Sequence, residues 1–73
     1  MKIIVISGGF DPIHSGHISY IKSAKDIGDH LIVALNSDEW LISKKKKVFM
    51  NIDERRNILI NLESVDEVIT FAD

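Results

Sequence analysis

A short apolar run that leads straight into a glycine-rich turn is the feature that most limits what this chain can fold into. Residues 3–6 (IIVI) contain no polar side chain, which is typical of a parallel strand buried on both faces. Residues 8–17 (GGFDPIHSGH) follow at once, and apolar residues then recur at three-residue steps at Ile18, Ile21 and Ala24. That spacing indicates a helix. The sequence therefore predicts a strand, a glycine-rich turn and a helix in that order.

The predicted turn has the chemistry of a phosphate-binding site. Ligands of open α/β sheets bind beyond the carboxyl ends of the strands, which is where this turn would lie. Glycines let the backbone approach a phosphate, and the start of a helix offers unpaired N–H groups and the positive end of a dipole. His14 and His17 add donors that are neutral or cationic near pH 7. We expect the turn to hold the phosphates of a nucleotide.

The rest of the chain continues an alternation of strands and helices. Apolar runs predict strands at residues 2–7, 30–35 and 67–71. Capping residues and spacing predict helices at residues 15–27 and 38–42 and a third that runs from residue 51 to residue 61 or 62. The four lysines at residues 44–47 predict a basic loop. Right-handed crossovers in this β-α-β-α-β order give an α/β fold, a Rossmann-like parallel sheet with flanking helices. Such domains normally have more strands. We expect residues 1–73 to form one domain, the N-terminal half of a larger fold or a unit that pairs with a second copy.

Composition excludes several other classes of protein. A net charge of −2 argues against general nucleic-acid binding. No apolar run approaches the roughly 20 residues of a membrane span, and the N-terminus lacks the layout of a signal peptide. The absence of cysteine excludes disulfides and a cysteine-based metal site. We therefore expect a cytoplasmic protein without nucleic-acid or membrane partners. Because an unpaired strand edge favours self-association, we also expect a homo-oligomer.

The turn also carries a recognisable signature. The sequence His14-Ser15-Gly16-His17, preceded by Gly9-Phe10-Asp11, resembles the motif of the HxGH nucleotidylyltransferase superfamily. The resemblance is strongest to the cytidylyltransferase-like branch, which includes glycerol-3-phosphate cytidylyltransferases and heptose-phosphate adenylyltransferases. It continues along the chain in family order through residues 24–29 (AKDIGD), 37–39 (SDE), 44–47 (KKKK), 53–55 (DER) and 65–69 (VDEVI).

This resemblance implies transfer of a nucleoside monophosphate from a nucleoside triphosphate to a small phosphorylated alcohol or sugar, with release of pyrophosphate. Magnesium would accompany the triphosphate, and we expect no resident metal ligands. The implied catalytic residues are His14, His17, Lys44 and Lys46, the two lysines in a mobile loop that closes over the nucleotide. Lys44 would also bind the acceptor, and Asp38, from its position at the end of the second strand, would have an acceptor-binding or a capping role. The implied nucleotide-binding residues are Gly8, Gly9, Phe10, Asp11, His14, Gly16, His17 and Arg55.

Two of the charged residues have a second interpretation, and a third is expected to be structural. Arg55 shares a helical face with Leu59 and Leu62, so it would either reach a ligand phosphate or pair with a carboxylate. Asp11 would either organise the loop and the magnesium–triphosphate complex or form a local Asx-turn. Asp66 begins the third strand, at the far end of the sheet from the ligand edge, and is expected to pair with a basic residue.

The resemblance leaves the substrates open. CTP is favoured as the nucleotide. However, Pro12 and Ile13 replace residues that are often both leucine in glycerol-phosphate enzymes, and Pro12 is common in adenylyltransferases, so ATP is the alternative. The family's second nucleotide-binding stretch, rich in Ser or Thr, has no match here. A third hypothesis is therefore an inactive nucleotide-binding or assembly module.

Overall fold

Three parallel strands organise the molecule. The computed structural model describes residues 1–71, which form β1 (Ile3–Gly8), α1 (Ser15–Asp26), β2 (His30–Asn36), α2 (Asp38–Lys45), α3 (Ile52–Ile60) and β3 (Glu67–Phe71). The strand order is β1-β2-β3, and both neighbouring pairs are parallel. The predicted α/β fold and its order of strands are confirmed. The carboxyl ends of β1 and β2 meet at one edge of the sheet, where Gly8 lies beside Leu35.

Each helix begins at a residue whose side chain accepts a backbone hydrogen bond. Ser37 Oγ accepts from the Trp40 N–H at 3.1 Å before α2, and Asn51 Oδ1 accepts from the Glu54 N–H at 2.9 Å before α3. Such caps satisfy N–H groups that have no partner within the helix. Helix α1 is capped by His14 instead. Among residues 1–71, no helix combines the length and apolar character that crossing a membrane requires.

The hydrophobic core lies on one face of the sheet. Alternate strand residues point to that face, and helices α1 and α3 cover it with Ile21, Ala24 and Leu59. The strand side chains of this core are Ile6, Leu31, Val33, Leu35 and Val68. This packing fixes where α1 begins relative to the end of β1.

The opposite face of the sheet is largely uncovered. Ile3 and Val5 of β1 are 56% and 59% exposed, and Ile69 of β3 is 46% exposed. The strand register places all three on the face opposite Ile6. On the core side, an apolar groove of about 370 Å³ runs between β1 and α1. Its lining residues are Ile4, Ile6, Tyr20, Ser23, Ala24 and Ile27.

The prediction of a basic loop at residues 44–47 is wrong for Lys44 and Lys45. Helix α2 runs on through Lys45, so Lys44 and Lys45 form its last turn. Lysine is a good helix former, and its charge is favourable near the negative end of the helix dipole. The helix stops at Lys46, whose φ of 70° is left-handed and whose N–H donates to the Ile42 carbonyl. Lys44 therefore lies in the helix and Lys46 at its C-cap, and the two lysines do not share the predicted loop.

Candidate functional site

The turn between β1 and α1 lies at the carboxyl edge of the sheet, as its position after β1 predicts. A Cβ on Gly9 would lie 2.8 Å from Leu41 Cδ2, so a larger residue here would require the buried Leu41 side chain of α2 to shift. Phe10 follows with a left-handed φ of 51°, which is strained for a residue with a side chain. Its ring is 6% exposed and belongs to the core cluster. Burial of the ring holds the turn in this conformation.

The two motif histidines form a reciprocal cap at the start of α1. His14 Nδ1 accepts from the Gly16 N–H at 3.1 Å, and His17 Nδ1 accepts from the His14 N–H at 3.1 Å. The arrangement is that of a capping box built from imidazoles. The ring centroids of the pair are 4.0 Å apart, and the ring of Phe10 stands edge-on to His17 at 5.1 Å. Their spacing of three residues thus brings both rings to the same side of the helix start.

These hydrogen bonds fix which ring nitrogens carry the protons. A neutral imidazole has one donor and one acceptor nitrogen. Because both Nδ1 atoms accept, the proton of each neutral ring lies on Nε2. Neither Nε2 has a hydrogen-bond partner among residues 1–71. Burial lowers the pKa of His17, and the charge of His14 lowers it further. The site therefore presents imidazole N–H donors at the positive end of a helix.

Gly16 leaves the space that the ring of His14 occupies. A Cβ at this position would lie 2.9 Å from His14 Cε1 and 3.1 Å from Nδ1. We expected Gly16 to allow the backbone to approach a ligand closely. The structure shows that it allows the capping imidazole to lie against the backbone of its own helix.

Asp11 connects the turn to the segment between α2 and α3. Its side chain is fully buried, and its two carboxylate oxygens accept from the N–H groups of Phe49 at 2.8 Å and Met50 at 2.6 Å. Lys45 Nζ lies 3.3 Å from the same carboxylate and also donates to the Asp11 carbonyl. Burial raises the pKa of Asp11, but the two N–H donors and Lys45 lower it more, so its net shift is downward. These partners are 34–39 positions away, so a local Asx-turn is not what this side chain forms.

Arg55 lies at the centre of the same edge and is completely buried. Its Nη1 donates to the carbonyls of Gly9 at 2.9 Å and Asn36 at 2.8 Å, and its Nε donates to the Met50 carbonyl at 2.9 Å. Its Nη2 donates to Asp38 Oδ1 at 2.6 Å. Of the two interpretations of Arg55, the pairing with a carboxylate is the one that the structure shows. The guanidinium joins the ends of β1 and β2 to α2 and α3.

The remaining charged residues of the site occupy different surroundings. Both oxygens of Asp38 are engaged, by Arg55 and by the Ile52 N–H at 3.3 Å. Lys44 Nζ lies 5.8 Å from the centre of the Trp40 ring. Neither Lys44 nor Lys46 forms an ion pair within residues 1–71. The structure therefore leaves these two cations exposed near the end of α2 and does not bring them into contact with the histidines.

Sequence reasoning missed the contribution of Lys45 and of the backbone at Phe49 and Met50. Nothing in a run of four lysines distinguishes the one that contacts Asp11. Asn36 at the end of β2 contributes its backbone carbonyl as an acceptor for Arg55, and no side-chain pattern indicates a contact of this kind. Asp66 accepts from Lys25 and from the Leu31 N–H at the opposite end of the strands, which confirms the predicted pairing with a basic residue.

No group of three or more metal-ligating side chains occurs among residues 1–71. The nearest carboxylates, Asp11 and Asp38, have their oxygens taken by backbone N–H groups and cations. This part of the chain does not offer a ready set of protein ligands for a divalent cation. An anionic ligand is favoured instead, because N–H donors and a helix N-terminus face the site.

Comparison with known proteins agrees with this chemistry. The family model described as cytidylyltransferase-like matches residues 5–73. The chain is 42% identical over 69 residues to glycerol-3-phosphate cytidylyltransferase of Bacillus subtilis (strain 168), which covers 94% of this chain and 54% of that protein. It is 39% identical over 74 residues to the bifunctional protein HldE of Haemophilus influenzae (strain PittEE), covering 99% of this chain and 16% of HldE.

A solved structure shares the fold. The crystal structure of the lipopolysaccharide core biosynthesis protein from Thermoplasma volcanium GSS1 superposes with a TM-score of 0.90 at 31% identity, covering 97% of this chain and 58% of that one. The chain thus spans about half the length of the Bacillus subtilis relative and of this structure. On the family match and the shared fold, the chain belongs to the cytidylyltransferase-like family of nucleotidyltransferases.

Proposed function

We propose that this chain supplies the nucleotide-binding part of a nucleotidyltransferase that moves CMP from CTP to a small phosphorylated alcohol or sugar and releases pyrophosphate. The observation that carries the proposal is the histidine pair. Two imidazoles with both Nδ1 atoms engaged as acceptors keep their Nε2–H donors for a ligand at the N-terminus of α1. We assign the reaction to the cytoplasm, where nucleoside triphosphates and phosphorylated metabolites occur.

The proposed reaction needs positioning and charge stabilisation more than covalent chemistry. A phosphate oxygen of the acceptor attacks the α-phosphorus, and the bond from that phosphorus to the bridging oxygen of pyrophosphate breaks. Donors that already point at the developing negative charge stabilise it without reorganisation. His14 and His17 fill this role together with the backbone around Gly9, Phe10 and Gly16.

The lysines at the end of α2 complete the proposed charge stabilisation. Lys44 and Lys46 are exposed and without an ion-pair partner among residues 1–71, so they are free to approach phosphate oxygens of the nucleotide or the acceptor. Asp38 drops out as an acceptor ligand because Arg55 and the Ile52 N–H occupy its oxygens. Arg55 acts by holding the turn rather than by touching the nucleotide.

Magnesium would enter the proposed site with the triphosphate. It would neutralise charge on the phosphate oxygens and on the departing pyrophosphate. With no cluster of protein ligands among residues 1–71, the phosphates and water would supply its coordination. Asp11 is not available to it, because its carboxylate is buried and engaged.

Two alternatives differ in nucleotide or in activity. Adenylyl transfer to a sugar phosphate is supported by Pro12, which is common in the adenylyltransferases that the motif resembles. A nucleotide-binding or assembly module without turnover is the second alternative.

Calorimetric titration of the chain with CTP and with ATP, each with magnesium, tests the proposal. We expect saturable binding of CTP that weakens about tenfold or more in His14→Ala and in His17→Ala, the loss of a hydrogen bond to a charged group. His30→Ala is the matched control, since His30 pairs with Glu67 at the opposite end of the strands. Tighter binding of ATP would favour adenylyl transfer, and binding of neither nucleotide would contradict the proposal.

Turnover separates an enzyme from a binding module. Pyrophosphate release is measured with CTP, magnesium and glycerol 3-phosphate as the probe acceptor. Each histidine-to-alanine variant should lose about a hundredfold in rate, which is typical of a lost transition-state donor. Saturable binding without any pyrophosphate release would support the module, and equal rates in both variants and wild type would overturn the assigned roles.

A further inference from the structure

The buried carboxylate of Asp11 bridges two parts of the candidate site. It joins two segments that are far apart in the sequence, the turn after β1 and residues 45–50. Consecutive N–H groups at Phe49 and Met50 converge on its two oxygens, and the cation of Lys45 lies against the same group. A carboxylate that accepts two backbone N–H groups and a cation is held in one position.

The segment that Asp11 holds is otherwise largely exposed, apart from the hydrogen bond that Arg55 donates to the Met50 carbonyl. Lys46 and Lys47 are exposed, and Phe49 is 59% exposed with Lys45 and Lys47 beside its ring. Helix α2 ends at Lys45, and α3 begins only at Ile52. Arg55 also bridges this segment to the turn, through the carbonyls of Met50 and Gly9. Asp11 is the residue of the turn whose own side chain binds the lysine-bearing segment, and the histidines follow it three and six residues later.

We propose that Asp11 is a positioning residue that keeps residues 45–50 against the β1–α1 turn, so that the lysine-bearing end of α2 stays attached to the turn that carries the histidine pair. The inference rests on the proposed function for one part, the binding of phosphate by the lysines at the end of α2. Its structural part, the attachment of residues 45–50 by Asp11, stands on the hydrogen bonds alone. Asp11 acts through Lys45 and the backbone at Phe49 and Met50, and it contacts neither nucleotide nor magnesium.

Asp11→Asn tests the attachment without changing the size of the side chain. The carboxamide keeps one acceptor oxygen, but its NH₂ group faces a backbone N–H and the Lys45 ammonium. Amide hydrogen exchange at Phe49 and Met50 should become about tenfold faster or more, since a charged hydrogen bond is lost. Exchange at Gly16, which donates to His14, should not change.

Asp66→Asn is the matched control. Asp66 accepts from a lysine and from a backbone N–H in the same way, but at the amino ends of the strands. We expect CTP to bind about tenfold more weakly to Asp11→Asn and with wild-type affinity to Asp66→Asn. Lys45→Met is a second variant if Asp11→Asn does not fold. It keeps the Asp11 carboxylate and both N–H donors, so the amides of Phe49 and Met50 should keep most of their protection from hydrogen exchange.

Each result decides one part of the proposal. Unchanged exchange at Phe49 and Met50 in Asp11→Asn would overturn the attachment. Faster exchange with wild-type CTP affinity would overturn the link between the attachment and the site, and weaker binding with unchanged exchange would make Asp11 a direct ligand. If the wild-type chain binds no nucleotide, the proposed function fails, and the exchange measurement still decides whether Asp11 holds the segment.

Discussion

The charge state of His17 is coupled to folding in the pH range below 6.5. Its pKa in the folded chain lies below the ordinary value of 6.5, first because burial disfavours the imidazolium and second because His14 is close. Protonation of Nδ1 would also remove the acceptor for the His14 N–H. The neutral ring is therefore the form that the folded site requires.

The pH dependence of stability follows from this shift. Above pH 6.5 both states carry a neutral His17, and its contribution is fully present. As the pH falls below 6.5, the unfolded chain takes up a proton more readily than the folded chain, so the free energy of unfolding decreases until the folded pKa is passed. Urea unfolding at pH 7.5 and pH 5.5 measures this change.

The control variant for this prediction keeps the capping hydrogen bond and replaces the titratable imidazole of His17. His17→Gln offers an amide oxygen to the His14 N–H at the third helical position, as glutamine does in ordinary capping boxes. The loss of stability between pH 7.5 and 5.5 should be smaller in this variant than in the wild type. An equal loss in the two proteins would show that other groups cause it.

At the scale of the elements, Arg55 is what ties α3 to the ends of β1 and β2. Its guanidinium is fully buried and donates to three carbonyls and to Asp38. Truncation of Arg55 leaves the three carbonyls without this donor and leaves the Asp38 carboxylate without its cation. We expect Arg55→Met to destabilise the chain by about 3 kcal/mol or more, the usual cost of breaking a buried ion pair.

Arg56 provides the matched control for this prediction. It is the next residue of the same helix, and it is exposed. Arg56→Met should change the free energy of unfolding by no more than about 0.5 kcal/mol. Urea denaturation monitored by the circular dichroism of the helices compares the two. Similar midpoints for both variants would mean that the Arg55 network does not stabilise the fold.

The contrast between these two arginines also shows how far the sequence could lead. The inward position of Arg55 follows from its spacing to Leu59 and Leu62, and the turn and helix start at residues 8–17 follow from glycines and a preceding apolar run. These are local patterns. The partners of Arg55 and Asp11 are brought together only by the sheet and the crossovers, up to 46 positions away along the chain. Periodicity carries no information about such pairs.

The end of α2 shows the same limit for secondary structure. Four consecutive lysines gave no apolar pattern, and the predicted loop at residues 44–47 began two residues too early. Helix propensity and the dipole extend the helix through Lys45, and the left-handed residue that ends it is a lysine rather than the usual glycine. The assigned roles of Lys44 and Lys46 in phosphate binding stay predictions.

At the scale of the whole molecule, β1 has the composition of a central strand but lies at an edge of the sheet. Its residues are apolar on both faces, and β2 is its only neighbour among the described strands. Ile3 and Val5 are more than half exposed on one side, and the apolar groove beside Ile4 and Ile6 lies on the other. Edge strands of natural proteins usually carry charges or prolines that prevent pairing.

This edge predicts self-association of the chain as given. Sedimentation velocity between about 5 and 200 µM should show a concentration-dependent shift to dimers or larger species, because pairing along β1 satisfies its free backbone groups and covers apolar surface. A lysine in place of Ile3 introduces a charge at this edge and should shift the equilibrium toward monomer. Ile60→Lys is the control, since Ile60 is 42% exposed on α3, away from the edge. A monomer at every concentration would refute the predicted homo-oligomer, and an equal effect of Ile60→Lys would place the contact elsewhere on the surface.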